Sequence, residues 1–170
     1  MSQKLFAQVR QEAQAKGIEF IDLKALDLRG RLHHISFPMD RFTEDVCLEG
    51  IGFDGSSYGF LKVENSDMVL IPDLDTACVD PFRKRPTLTM FAEAHLTDDG
   101  RTPYPQDGRN LARKAEQALK KSGVADLSQW APEYEFHIFD EASFHTEDNE
   151  SSFGVHSGET FYQNAYHACN

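Results

Sequence analysis

The stretch Ile51-Gly-Phe-Asp-Gly-Ser-Ser-Tyr-Gly-Phe60, IGFDGSSYGF, sets three glycines and two serines around one acid, Asp54, that has no basic neighbour to pair with. With Gly50 added, Gly50, Gly52 and Gly55 reproduce the G-x-G-x-x-G spacing of a dinucleotide-binding turn. That fingerprint requires a strand before it and a helix opening directly behind it, because the helix N-terminus holds the pyrophosphate. Ser56, Ser57 and Gly59 come next instead, and helical periodicity does not return until Asn110. The dinucleotide reading fails on context. What remains is a tight backbone path, since an Asp-Gly pair among small residues is first of all a turn signal.

The segments around this stretch predict a small mixed sheet. Leu5, Phe6, Val9 and Ala13 recur at helical spacing, and Gly17 can end that helix as a left-handed cap. Next, IEFIDLKALDLRGRLHHISFP alternates and breaks at Arg29-Gly30-Arg31, which predicts a hairpin closed by Pro38. SDMVLIPD and PTLTMFAEAHL read as further strands, punctuated by Pro72, Pro81 and Pro86. The sum is a sheet of about four or five strands with one helix. DDGRTPYPQDGRN marks a boundary. Behind it Leu111, Ala115, Ala118 and Leu119 form one face of a helix that Asp107 can cap and Gly123 can stop. HTEDNESS, residues 145–152, reads as a flexible polar loop.

A chain of 170 residues can bury a core and forms one domain, or one domain and part of another. No apolar run approaches the ~20 residues of a membrane span. The N-terminus MSQKLFAQVRQEAQ lacks the apolar core of a signal peptide, so the expected location is the cytoplasm. Cys47, Cys78 and Cys169 are far apart and form no C-x-x-C pair, which fits reduced thiols packed as small hydrophobes. A net charge of −11 argues against nucleic acid or an anionic membrane as partner. The charge is uneven: residues 131–170 carry Glu133, Glu135, Asp140, Glu141, Glu147, Asp148, Glu150 and Glu159 but no Lys or Arg. Such a block is a solvated surface unless its acids are geometrically placed to hold cations.

Two of them have that placement. In PEYEFHIFD, residues 132–140, a period of two predicts a strand with Tyr134, Phe136 and Ile138 on one side and Glu133, Glu135, His137 and Phe139 on the other. The two carboxylates then stand about 7 Å apart. Three roles compete for them: a solvated strand face, a glycosidase-like acid/base pair, which needs roughly 5–9.5 Å, and divalent-metal binding, which suits paired hard oxygen donors best.

Read together, FDGSS, SDMVL eight residues later, the helix RNLARKAEQAL and the E-x-E segment resemble the N-terminal third of glutamine synthetase, in order along nearly the whole chain and with RGRLHHISFP and DPFRKRPTL between them. The resemblance implies an α+β chain: an N-terminal helix over 1–16, a β-grasp domain over 17–105, and the first helix and strand of the catalytic domain over 106–170. It implies ATP-dependent ligation of ammonia to glutamate through γ-glutamyl phosphate, with Mg²⁺ or Mn²⁺ at two sites. By resemblance, Asp54 attracts ammonium and takes its proton, Ser57 helps hold the loop or the ammonium, and Glu133 and Glu135 are metal ligands, Glu133 on the ATP side and Glu135 on the glutamate side. It also implies a ring-shaped homo-oligomer, a dodecamer, with active sites between subunits and no nucleic-acid or membrane partner. His137 then reads as a strand residue beside the site, and Phe139 and Trp130 as packing. Phe60 or Leu61 replaces an aromatic that some bacterial members carry, and Gly108 stands where many relatives have proline. The chain stops at Asn170, before the remaining ligands the family requires, so alone it is expected to be inactive. Two alternatives stay open: a γ-glutamyl ligase for another amine, and a non-catalytic β-grasp binding or regulatory module.

Overall fold

In the computed structural model, which describes residues 3–158, the chain divides into a compact unit running to Ser128 and a second one from Gln129. The first unit opens with α1 (Gln3–Ala15), whose Leu5, Phe6, Val9 and Ala13 pack on the core as their spacing predicts. Gly17 ends it at φ +64°, a conformation that costs glycine little. The alternating segment becomes β1 (Phe20–Leu26) and β2 (Leu32–Pro38), an antiparallel hairpin paired from Phe20 with Pro38 to Leu26 with Leu32. Then come α2 (Glu44–Glu49), β3 (Ile51–Asp54), β4 (Asp67–Pro72), β5 (Cys78–Val79) and β6 (Thr87–Leu96).

The sheet has six strands in the order β2-β1-β6-β4-β3, with β5 also paired to β6. Only β1 and β6 run parallel; the other pairs are antiparallel. It exceeds the expected four or five strands because β3 and β5 are four and two residues long, too short for alternation to be read. The tight path around Asp54 therefore begins as a strand. Its partner β4 supplies the apolar run that specifies it, and Gly50 lets the chain turn out of α2 into it.

Ile21, Leu23, Met68, Leu70, Met90 and Phe42 are essentially inaccessible and form the centre of the core. Between Ile21 and Leu23, Asp22 is buried as well. Burial pushes its carboxyl up, but hydrogen bonds from Ser36, His34 and Arg83 outweigh that and hold it below the ordinary value.

A third helix, α3 (Gly108–Ser122), ends at Gly123 and is fixed to this unit by polar groups rather than by its apolar stripe. The Asp107 carboxylate accepts from Arg109 N at 2.8 Å as N-cap and from Ala94 N of β6 at 2.6 Å, so the cap is also an anchor. Arg109 and Arg113 pair with Asp73 and Glu93. The expected apolar face stays uncovered: Leu111 is half exposed, and Ala115 and Ala118 are exposed.

The second unit corrects two expectations. Residues 129–139 adopt neither helix nor strand, so Glu133 and Glu135 do not sit on a hydrogen-bonded strand over 132–140. A strand exists only as part of a ladder. Among the described residues of this unit the one ladder is a hairpin of β7 (Glu141–Thr146) and β8 (Ser151–His156). The strands of that hairpin take up both ends of the expected polar loop, leaving residues 147–150 as the turn, where Glu147 N donates to Glu150 O at 2.8 Å. Cys169 and Glu159 lie outside the described residues.

Candidate functional site

Asp54 is the last residue of β3, and its position is set by the ladder beneath it. Pairing runs from Ile51 with Leu70 to Asp54 with Asp67. The chain then turns: Gly55 N donates to Ser66 O at 2.7 Å, Ser57 N to Asp54 O at 3.1 Å and Phe60 N to Gly55 O at 2.9 Å. Gly55 leaves room at this corner: a Cβ there would lie 2.4 Å from Met68 Sδ and 3.1 Å from Ser66 O, so a larger residue would have to displace the buried Met68 side chain. Tyr58 and Phe60 turn inward and are buried, whereas Asp54 and Ser57 face solvent. The loop is thus nailed down by its aromatics and presents its acid outward.

The carboxylate is surrounded by donors. Ser56 N donates to Asp54 Oδ1 at 2.8 Å, and the Ser57 hydroxyl lies 3.5 Å from Oδ2. The hydroxyl of Ser56 does most to hold the Asp54 carboxyl below the usual range, followed by the Ser66 hydroxyl, the Ser56 N–H and the Ser57 hydroxyl. At neutral pH Asp54 is therefore an exposed, ionised acceptor, ringed by hydroxyls and without a basic partner among the described ion pairs. Such a group suits a small cation able to donate several hydrogen bonds. Sequence reading found Asp54 and Ser57 but missed Ser66, since nothing linear shows that the serine of SDMVL returns beside Asp54. Only the antiparallel register of β3 and β4 does so.

Glu133 and Glu135 lie in the second unit, both exposed. Further along the same segment the rings of His137 and Phe139 stack with centroids 6.2 Å apart. The Glu133 and Glu135 carboxylates are hard oxygen donors that fit Mg²⁺ or Mn²⁺ by chemistry. Among the described residues no group of three or more His, Cys, Asp or Glu gathers closely enough to hold a metal. Cys47 is buried, and burial pushes its thiol up to about 12, which makes it inert packing. Cys78 is an exposed free thiol, not the packed hydrophobe expected. No helix of the described residues is long and apolar enough to cross a membrane.

The sequence model of the glutamine synthetase β-grasp domain matches residues 17–97. Glutamine synthetase of Mycolicibacterium smegmatis is 42% identical over 145 residues, covering 84% of this chain and 30% of that protein. The 3-hydroxylaminophenol mutase of Cupriavidus pinatubonensis is 36% identical over 154 residues, covering 90% of this chain and 32% of that one. A cryo-EM structure of Plasmodium falciparum glutamine synthetase superposes with a TM-score of 0.67 at 17% identity, over 95% of this chain and 32% of the other, which is a likeness of fold. The chain spans about a third of the length of the curated relatives it matches.

Proposed function

We propose, from a chain whose N-terminal region belongs to the glutamine synthetase family, that it is the N-terminal portion of a cytoplasmic enzyme joining ammonia to the γ-carboxylate of glutamate with hydrolysis of ATP. The observation that carries this reading is the state of Asp54: exposed, ionised, ringed by serine hydroxyls and set on a loop fixed from below. A carboxylate of that acidity first holds ammonium as an ion pair, with Ser57 placed to take one further N–H. Ammonium has no lone pair and cannot attack. The first proton passes from ammonium to Asp54, which frees the nitrogen lone pair to add to the acyl carbon of γ-glutamyl phosphate. The adduct collapses with breakage of the C–O bond to phosphate, and the second N–H proton, made acidic once nitrogen is bonded to carbon, leaves to the departing phosphate.

Glu133 and Glu135 are the residues that would hold the divalent ions, one carboxylate each, and the ions would supply neutralisation of the phosphate charge. The exposed apolar residues of α3 and of the second unit, among them Leu111, Tyr134, Phe136 and Phe144, support the reading of a piece of a larger fold. In that fold we place the active site between neighbouring subunits of a ring, with the small residues of the Asp54 loop allowing close approach. Assays with glutamate, ammonium and ATP test this. Full-length protein should form one glutamine per phosphate released, the chain of 170 residues none, and Asp54→Asn should lower kcat/KM for ammonium by about a hundredfold or more. Undiminished turnover in Asp54→Asn would reject the assignment.

A further inference from the structure

The two edge strands of the main sheet, β2 and β3, are separated by three others in the hydrogen-bonded order, yet a side chain on β2 meets the loop that leaves β3. His33, on β2, stacks on Tyr58 of the Asp54 loop, with ring centroids 4.5 Å apart and planes at 25°. Leu28 N, in the β1–β2 turn, donates to Tyr58 O at 3.3 Å. On its other sides Tyr58 packs against Phe53 at 4.7 Å and Phe60 at 5.8 Å. The curl of the sheet thus closes on one ring, belonging to a residue close to Asp54 in the chain and bonded through its own N–H to Gly55 O at 3.3 Å.

His33 is not free to drift. The Asp27 carboxylate accepts from His33 Nε2 at 2.9 Å and from the N–H groups of Arg29 and Arg31 at 2.8 Å each. One acid therefore fixes both the hairpin turn and the imidazole. We propose that the Asp27–His33 pair is a positioning element for the Asp54 loop, acting through the Tyr58 ring. It holds the loop in the conformation in which Asp54 and Ser57 face outward together. The reason for a separate brace is geometric: the loop leaves a four-residue edge strand, and a short edge strand with one neighbour is a weak anchor for the loop it leads into. Its link to ammonium rests on the function proposed above; the mechanical coupling does not.

Amide exchange on the chain of 170 residues tests the coupling without any ligand. His33→Ala and Tyr58→Leu should speed exchange at Ser57, Gly59 and Phe60 by roughly two- to tenfold, the scale of one aromatic pair, and leave Leu23, Leu70 and Met90 unchanged. Tyr58→Phe keeps the ring and should keep the protection. Asp27→Asn, which gives up the carboxylate hold on His33, should show the same local pattern on a smaller scale. Loop rates unchanged in both His33→Ala and Asp27→Asn overturn the proposal, as does equal acceleration in the strands, which reports lost stability alone. In the full-length enzyme His33→Ala should raise KM for ammonium by a similar factor and leave KM for glutamate alone. A loosened loop with an unmoved ammonium KM would support the coupling and instead reject the assignment of Asp54 to ammonium.

Discussion

Replacing Gly50 by alanine tests how β3, and with it Asp54, is placed. Gly50 sits at φ +79° and ψ −176°, a region that only glycine occupies without strain, and a side chain there costs about 1–3 kcal/mol. An added Cβ would also lie 2.8 Å from the backbone oxygen of Leu70, 3.1 Å from Val69 Cβ and 3.2 Å from Ile71 Cγ1. The carbonyl belongs to the β3–β4 ladder and cannot rotate away as a side-chain end could. Overpacking of this kind adds about 1–3 kcal/mol. The two contributions together come to about 2–6 kcal/mol, a large part of the ~5–15 kcal/mol that holds a domain folded. Gly52, two residues on, is the control: its Cβ would meet nothing within 4 Å, and its φ is not positive. Gly52→Ala should change stability by less than about 0.5 kcal/mol. Urea unfolding of both variants, monitored by far-UV circular dichroism, measures the difference. A loss below about 1 kcal/mol for Gly50→Ala, or equal losses in the two, would refute the placement of β3 against β4.

Further predictions concern charge. The bond from His33, then the N–H groups of Arg31 and Arg29, hold the Asp27 carboxyl at about 2. A depressed acid stabilises the fold above its unfolded value of 3.8 and loses that contribution as pH falls through about 2. The urea midpoint should therefore fall more steeply between about pH 4 and pH 2 in the wild type than in Asp27→Asn. Asp22→Ala removes the buried acceptor of Arg83, Ser36 and His34. Because Arg83 and His34 remain partly exposed and can rehydrate, the loss should be about 1–3 kcal/mol, read from the same unfolding curves. In the full-length enzyme Glu135→Ala should abolish most activity and Glu141→Ala little of it; equal losses would mark the acidic segment as ordinary surface.

The β-grasp fold was legible wherever a segment was long enough to show its period. The β1–β2 hairpin, β4, β6, α1 and α3 all lie where alternation, helical spacing and caps put them. What escaped was set by partners distant in sequence. α2, β3 and β5 have six residues or fewer and owe their form to Thr43, β4 and β6 rather than to their own pattern. The E-x-E segment shows the opposite failure: its sequence has a period of two, but a pattern of residue types supplies no hydrogen-bonding neighbour, and without one there is no strand. The Asp54 loop was legible as composition, since its glycines and serines mark a tight corner, where Gly55 packs closely on Met68 and Ser66. The hydroxyl of Ser66 and the brace of Tyr58 by His33 were not, because both arise from how the sheet pairs and curls.

The most direct test of the central claim is complementation between inactive subunits of the full-length protein. Asp54→Ala and Glu135→Ala subunits are purified separately, dissociated, mixed and reassembled, and glutamine formation from glutamate, ammonium and ATP is measured. If Asp54 and Glu135 are the two halves of one amide-forming site contributed by neighbouring subunits, the mixed assembly regains part of the wild-type rate while each variant alone stays inactive. A mixture as inactive as its components, or either variant active alone, would contradict it.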